Sequence, residues 1–273
     1  MIYVVPSLKA KEKLQCEGKA WAESQGFAYV PRGKRTIQDL MDEYGEDFLV
    51  YSSRGPQIDR PEGRHFFSLN MAELRIQNLR KGQRDHLLEA LMGVKEYDLR
   101  PAAAQLPISV LDCTCGFGAD AAVASFGLPA GSRVDALEVS PLLEAVTAWG
   151  FSHFVHKKDD VTAALRRISL RCGDYRDYLL SDEGPVYDVL YFDPMFQRPV
   201  EASCQFQPVR AIMEHGGLTR DLIERALQKA RRRVVIKERD FRQLCRDFPD
   251  VALYGGKYSR IGYAVLECDS WKK

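Results

Sequence analysis

The stretch that decides the fold is "VLDCTCGFGAD", residues 110–120. An apolar run stops at Asp112, a turn carries Gly116 and Gly118, and a helix-compatible segment opens near Ala119. A second stretch, "VLYFDPMF" at 189–196, again drives an apolar run up to an aspartate, Asp193. Pro194 then ends the run, because proline fixes φ and has no N–H for a strand ladder. From residue 108 onward, apolar runs alternate with helical segments: "ISVLDC", "SRVDALEV", "ISLRC", "VYDVLYFD", "RRVVIK", "VALYG" and "YAVLEC". Several are near-continuous, which marks strands covered on both faces and hence a mainly parallel sheet in an α/β fold. The last two, 251–254 and 263–268, are joined by only eight residues. That is too short for a parallel crossover, so an antiparallel hairpin is expected at the C-terminal end.

Upstream the rhythm differs. Residues 1–69 read as a small α+β unit. "IYVVPS" and "FAYVP" are strand-like, residues 8–25 have helical periodicity, and "TIQDLMDEYG" runs from a Thr N-cap to a Gly stop. "DFLVYS" and "HFFSL" are expected to pair around the turn-rich "SRGPQIDRPEGR". Residues 70–92 read as a helical stretch broken near Gly82, and 93–107 as a loop or linker. The expected organisation is therefore 1–69, 70–107 and 108–273.

Bulk properties narrow the function classes. The 273 residues suffice for one large α/β domain and a small appendage. No run approaches the roughly 20 apolar residues of a membrane helix, and the five-residue apolar start is too short for a signal-peptide core. A cytoplasmic protein without a membrane partner is expected. A net charge of +1 announces no polyanion, although a local basic patch still can. The seven cysteines are odd in number and irregular in spacing, which suits reduced, buried thiols. Cys113, Cys115, Cys172 and Cys268 lie in or beside apolar runs. Cys113-x-Cys115 lacks a second ligand pair, and the histidines show no metal-like spacing, so no metal is expected.

In an open parallel sheet, ligands bind beyond the C-terminal ends of the strands. Glycines at 116 and 118 let the backbone turn tightly and approach a ligand. The next strand ends in Glu138, 26 residues after Asp112. A carboxylate there accepts from both hydroxyls of a ribose, so the pair reads as a nucleoside-cofactor site. The turn lacks the third glycine of a dinucleotide fingerprint, and Asp120 would set a negative charge near phosphates. S-adenosylmethionine (SAM) has no phosphate, and its ammonium suits an acid at a strand end. An ordinary strand–turn–helix corner with a solvated Glu138 fits the same residues. Asp174, after the third strand, suits an adenine amino group and equally the N-cap of "YRDYLL".

The Asp193-Pro194-Met195-Phe196 segment offers an acid, free carbonyls and an aromatic ring. Together these make a receptor for an exocyclic amine on a planar base, with Phe196 stacked on the ring. Such a receptor aims the amine nitrogen at a methyl sulfonium and draws off the developing positive charge. A strand-ending Asp-Pro turn with Phe196 in the core is the bland alternative.

D-x-x-x-G-x-G, an acid ending strand two and D-P-M-F ending strand four resemble class I SAM-dependent methyltransferases. Together with the upstream "LRIQNLRKGQRDHLLEALMG", they are most similar to the bacterial small-subunit rRNA guanine-N2 methyltransferases (RsmJ-like) over roughly residues 70–268. The resemblance implies a Rossmann-like, seven-stranded, mainly parallel sheet with an antiparallel last strand. It implies SAM contacts at Asp112, Gly116, Gly118, Ala119, Asp120, Glu138, Val139, Gly173, Asp174 and Asp193. In that family arginine is common at the positions of Ala119 and Val139, where this chain departs. It implies methyl transfer to guanine N2 of small-subunit rRNA, free or in a ribosomal particle, with Asp193, Pro194, Met195 and Phe196 at the reacting end. Adenine-N6 or cytosine-N4 methylation, a small-molecule or protein methyltransferase, and a non-catalytic SAM- or rRNA-binding protein remain open alternatives.

A nucleic-acid substrate needs phosphate contacts. "RIQNLRKGQR" holds Arg75, Arg80, Lys81 and Arg84 without an acid, and on one helix residues 80 and 84 would share a face. A solvated helix face accounts for them equally. Arg198 and Arg210, in the aperiodic segment 197–217, and Lys237, at the end of "RRVVIK", complete the candidate substrate contacts. Arg231, Arg232 and Arg233 are better explained as cations at a helix C-terminus.

Overall fold

A computed structural model describes residues 1–95, 106–194, 217–255 and 261–268. Among these, one compact unit holds Met1–Ser68 and Ser140–Phe154, and the remainder forms a second.

The first unit begins with β1 (Tyr3–Pro6), α1 (Glu12–Ser24), β2 (Ala28–Tyr29), α2 (Ile37–Tyr44), β3 (Phe48–Ser52), β4 (Gly55–Arg60) and β5 (Gly63–Phe66). Its sheet order is β2-β1-β3-β4-β5, with β1 parallel to both neighbours. Strand alternation sends Val5, Phe48 and Val50 to one face against Leu40 of α2. It sends Val4 and Tyr51 to the other, against Ala22 and Trp21 of α1. Thr36 caps α2 in a capping box with Asp39.

The expected pairing of "DFLVYS" with "HFFSL" is corrected here. The turn-rich stretch between them is itself a strand, β4, antiparallel to β3 on one side and β5 on the other. The turn signals are real but confined to the two tips, where Ser52 faces Gly55 and Arg60 faces Gly63. Gln57 and Asp59 are buried polar residues, and Asp59 meets both Gln57 Nε2, at 3.2 Å, and Arg64. Polar residues at interior positions removed the apolar signal on which strand recognition rests.

The second unit runs α3 (Asn70–Arg80), α4 (His86–Met92), β6 (Ser109–Asp112), α5 (Ala119–Gly127) and β7 (Arg133–Glu138). The next helix, α6 (Pro141–His153), belongs to the first unit. The chain then gives α7 (Asp159–Arg166), β8 (Ile168–Cys172), α8 (Tyr175–Leu180), β9 (Val189–Phe192), α9 (Arg220–Lys229), β10 (Arg233–Glu238), α10 (Arg242–Asp247), β11 (Ala252–Tyr254) and β12 (Gly262–Glu267). The sheet order is β11-β12-β10-β9-β6-β7-β8. Strands β8, β7, β6, β9 and β10 are mutually parallel, and β12 is antiparallel to both β10 and β11. This is the seven-stranded, Rossmann-like sheet with an antiparallel last strand that the sequence implies. The central strand β9 is apolar and buried throughout, as expected of a strand covered on both faces.

Residues 70–92 form two helices with the expected break near Gly82, which adopts φ +74° just after α3. Two local expectations change. Arg84 lies beyond α3 and shares no helical face with Arg80. Cys172 is exposed, whereas Cys113, Cys115 and Cys268 are buried as expected.

Helix α6 packs on β4, and its Gly150 meets Phe67 just after β5. A Cβ at Gly150 would lie 1.9 Å from Cγ of Phe67. That ring is fixed edge-on between Phe151 and Phe154, with centroids 5.6 and 5.5 Å away, and has no room to retreat. Gly150→Ala is expected to destabilise the protein by about 2 kcal/mol through overpacking, read as a lower urea midpoint at unchanged slope.

Candidate active site

The parallel register brings four strand ends to one edge of the sheet. Asp112 lies opposite Ala136 of β7 and Tyr191 of β9, and Tyr191 lies opposite Val235 of β10. The acids Asp112, Glu138 and Asp193 and the cation Lys237 thus project from the C-terminal ends of β6, β7, β9 and β10.

The turn after β6 is held by short bonds. Asp112 is 2% exposed, and its Oδ1 accepts from Thr114 N–H at 3.1 Å. Thr114 Oγ1 accepts in turn from the Asp193 N–H at 2.6 Å, tying the end of β9 to this turn. Gly116 has φ +55° and Gly118 φ +75°, conformations that L side chains rarely adopt. Gly116 N–H donates to Glu138 Oε2 at 2.8 Å. Gly118 N–H donates to Cys115 O, and Ala119 opens α5. The backbone around Gly116 is open, since only Thr114 O, at 3.9 Å, would meet a Cβ there. Along the neighbouring edge, Gly173 N–H donates to Glu138 O at 2.9 Å, and Val139 O accepts from Cys172 Sγ. Asp174 caps α8, accepting from Arg176 N–H at 2.8 Å and from its Nε.

Asp120 does not face this turn. Its carboxylate, 8% exposed, accepts from Arg75 Nη1 at 2.5 Å, Tyr191 Oη at 2.7 Å and Lys237 Nζ at 2.8 Å. Burial works against its ionisation, but Lys237 and Arg75 overcome that and hold its carboxyl below the usual carboxylate range. Lys237 Nζ also donates to Asp193 Oδ2 at 2.7 Å. Burial pushes the Asp193 carboxyl up to about 6, Lys237 pulls the other way, and the Asp120 charge adds repulsion. The two carboxyls diverge because Asp120 has three donors and Asp193 shares one ammonium. Burial, with Asp120 beside it, pushes Asp112 well above the usual range.

The candidate substrate contacts separate. Arg75 is engaged internally, its Nε and Nη2 each 2.8 Å from Asp85, so it offers no open guanidinium to a phosphate. Arg80 is ion-paired with Asp160, and Arg84 with the buried Glu89 at 2.6 Å. Lys81 is exposed just beyond α3. Met195, Phe196, Arg198 and Arg210 lie outside the described residues. Sequence reading missed Thr114, Tyr191 and Tyr263. Tyr191 carried a signal: a hydroxyl within an apolar run, two residues before Asp193 and so on its face of the strand. Tyr263 stands opposite Lys237 across β12 and β10.

The site suits a cationic nucleoside ligand. Two cations, Arg75 and Lys237, share this corner with four carboxyls, Asp85, Asp112, Asp120 and Asp193. The acid excess favours an incoming positive charge and disfavours a pyrophosphate.

The family described as "Putative SAM-dependent methyltransferase" matches residues 76–261. The chain belongs to this family and is a SAM-dependent methyltransferase of the class I fold, with SAM as its cofactor. It is similar to the uncharacterised protein YpiP of Bacillus subtilis, at 28% identity over 86% of this chain and 88% of that one. It is also similar to ribosomal RNA small subunit methyltransferase J of Thioalkalivibrio sulfidiphilus, at 29% identity over 72% of each chain. Among solved structures, a SAM-dependent methyltransferase of Neisseria gonorrhoeae, NGO1261, has a similar fold. Its TM-score is 0.60 at 17% identity, covering 98% of this chain and 96% of that one.

Glu138→Ala is expected to weaken SAM binding about 10- to 100-fold by calorimetry, the loss of one or two charge-assisted hydrogen bonds. Circular dichroism should stay unchanged, and NAD should give no binding heat in either protein.

Proposed function

We propose that this methyltransferase acts on an exocyclic amine of a nucleic-acid base, guanine N2 in small-subunit rRNA. The observation that carries the reading is Asp193, an acid at the end of a central parallel strand. It is pinned through its N–H to Thr114, bonded to Lys237, and followed by Pro194. The similarity to proteins named ribosomal RNA small subunit methyltransferase J supports the choice of RNA.

SAM, when bound, supplies an electrophilic methyl group on a sulfonium. Glu138 would hold its ribose, the Gly116–Gly118 turn and Gly173 would line it, and Asp112 would face its cationic end. Asp193 accepts a hydrogen bond from the base amine and orients the nitrogen lone pair towards that methyl. As the new N–C bond forms, the methyl–sulfur bond would break with its electron pair staying on sulfur as a neutral thioether, while the nitrogen becomes cationic and its proton passes to Asp193 Oδ, then to solvent. An aryl amine is too weak a base to hold a proton at neutral pH, so an acceptor with a raised pKa suits late removal. Phe196 would stack on the base. Lys81, Arg198 and Arg210 are the remaining candidates for phosphate contact. Arg75 and Asp120 are not assigned to ligands. A cytoplasmic location, with rRNA free or in an assembling particle, follows from such a substrate. Among the described residues no helix is long and apolar enough to cross a membrane.

With tritiated SAM and small-subunit rRNA from cells lacking this gene, label is expected as N2-methylguanosine, with none in DNA or free nucleosides. Label in N6-methyladenosine or N4-methylcytidine would keep the amine chemistry and overturn the guanine assignment. Asp193→Asn is expected to lower kcat by about 100- to 10,000-fold, with SAM affinity changed by less than about tenfold. The ionised carboxylate is the active form and its carboxyl sits near 6. In the parent enzyme kcat/KM should therefore rise with pH through about 6 and level off above it.

A further inference from the structure

The role proposed for Asp193 leaves the charged side chains behind it without a function. Five polar side chains from four elements converge there: Arg75 of α3, Asp120 of α5, Tyr191 of β9, Lys237 of β10 and Asp193 at the end of β9. Lys237 is the hinge of this chain. Its side chain is only 14% exposed, and its Nζ sits 2.8 Å from Asp120 and 2.7 Å from Asp193. A buried ammonium serving two carboxylates could instead be a purely structural tie. The asymmetry of the two carboxylates argues otherwise. Asp120 has two further donors besides Lys237, Arg75 and Tyr191. Arg75 is itself fixed by two bonds to Asp85, the N-cap of α4. Asp193, 29% exposed at the open edge, has Lys237 as its side-chain partner.

Resting on the proposed role of Asp193, we propose that Lys237 is a positioning residue for methyl transfer. Held by Asp120, it orients the Asp193 carboxylate towards the acceptor amine and keeps it ionised at neutral pH. Asp120, which the sequence placed among the SAM contacts, acts here as the rear anchor of the lysine. Lys237, which the sequence placed among substrate contacts, acts through Asp193 rather than on RNA.

The groups that face Asp193 fix the sign of each perturbation. They are Lys237 and Glu238 from β10, Asp120 from α5, Asp112 from β6 and Tyr191 within β9. Tyr263 of β12 and Arg75 of α3 act one shell further out, through Asp120 and Lys237. Removing the ammonium leaves Asp193 among Asp112, Asp120 and Glu238, so its proton is held more tightly. Removing the Asp120 charge leaves Lys237 to Asp193 alone, so its proton is released more easily. The two substitutions therefore shift Asp193 in opposite directions. A general loosening of the fold would not produce that pattern.

The test uses the full-length protein with carbon-13 carboxyl labelling of aspartate, Asp193 being assigned by its absence in Asp193→Asn. Its titration midpoint is followed by NMR in the parent, Lys237→Met, Lys237→Arg and Asp120→Asn. Lys237→Met should raise the midpoint by about one unit or more, and Asp120→Asn should lower it by about one. Lys237→Arg, which keeps the charge, should stay near the parent. Methylation of rRNA is then measured as a pH profile. Lys237→Met should lower kcat about 10- to 100-fold at pH 7, with the acid limb moved up and KM for RNA within about threefold. Arginine should restore part of the rate. A midpoint that does not move, or that moves the same way in Lys237→Met and Asp120→Asn, overturns the proposal. If Lys237→Met does not fold, Asp120→Asn and Lys237→Arg still decide it. The titration needs no substrate. A parent enzyme that leaves every base unlabelled would therefore sink the substrate reading, while the midpoints still judge the lysine.

Discussion

The corner of this protein where chemistry is possible depends on one buried ammonium. Lys237 lies between two carboxylates, Asp120 with its side chain only 10% exposed and Asp193 29% exposed at the rim. A charge removed from water is costly unless it is paired and hydrogen-bonded. The arrangement meets that condition by layering. Asp85 fixes Arg75, Arg75 and Tyr191 fix Asp120, Asp120 fixes Lys237, and Lys237 reaches the exposed acid at the rim. The outermost carboxylate is the least compensated of the series. That makes it the one whose proton affinity lies nearest the range in which an enzyme works.

The fold serves this corner by register. Parallel strands end together, so residues separated by tens of positions emerge at one edge. The β6 turn does double duty. Its glycines open the backbone beside Glu138, and Thr114 fastens the end of β9, so the cofactor corner and the reacting acid are held by one short loop. A shift of that loop would disturb both.

Much of this was legible in the residues. The near-continuous apolar runs gave the parallel sheet, and the short final connection gave the antiparallel hairpin. The acids at 112, 138 and 193 stood out because each ended such a run. What stayed hidden had physical causes. Strand β4 carries Gly, Pro, Gln and Asp where a strand is expected to be apolar or β-branched, so local propensity pointed to a turn and tertiary packing overrode it. The pairing of Arg75 with Asp120 spans 45 positions, and that of Lys237 with Asp120 spans 117. No local pattern encodes such partners, so both cations read as candidate substrate contacts. The break at Gly82 was visible as a glycine, but its consequence for Arg84 needed the backbone dihedral.

The central claim is that Asp193 receives the amine of a base while SAM occupies the turn beside Glu138. A crystal structure with the SAM analogue sinefungin and a guanosine-containing RNA fragment tests this most directly. The account predicts guanine N2 about 3 Å from a carboxylate oxygen of Asp193, with Lys237 still bridging it to Asp120 and the analogue's ribose on Glu138. A base held with its amine away from Asp193, or an analogue whose ribose avoids Glu138, would contradict it.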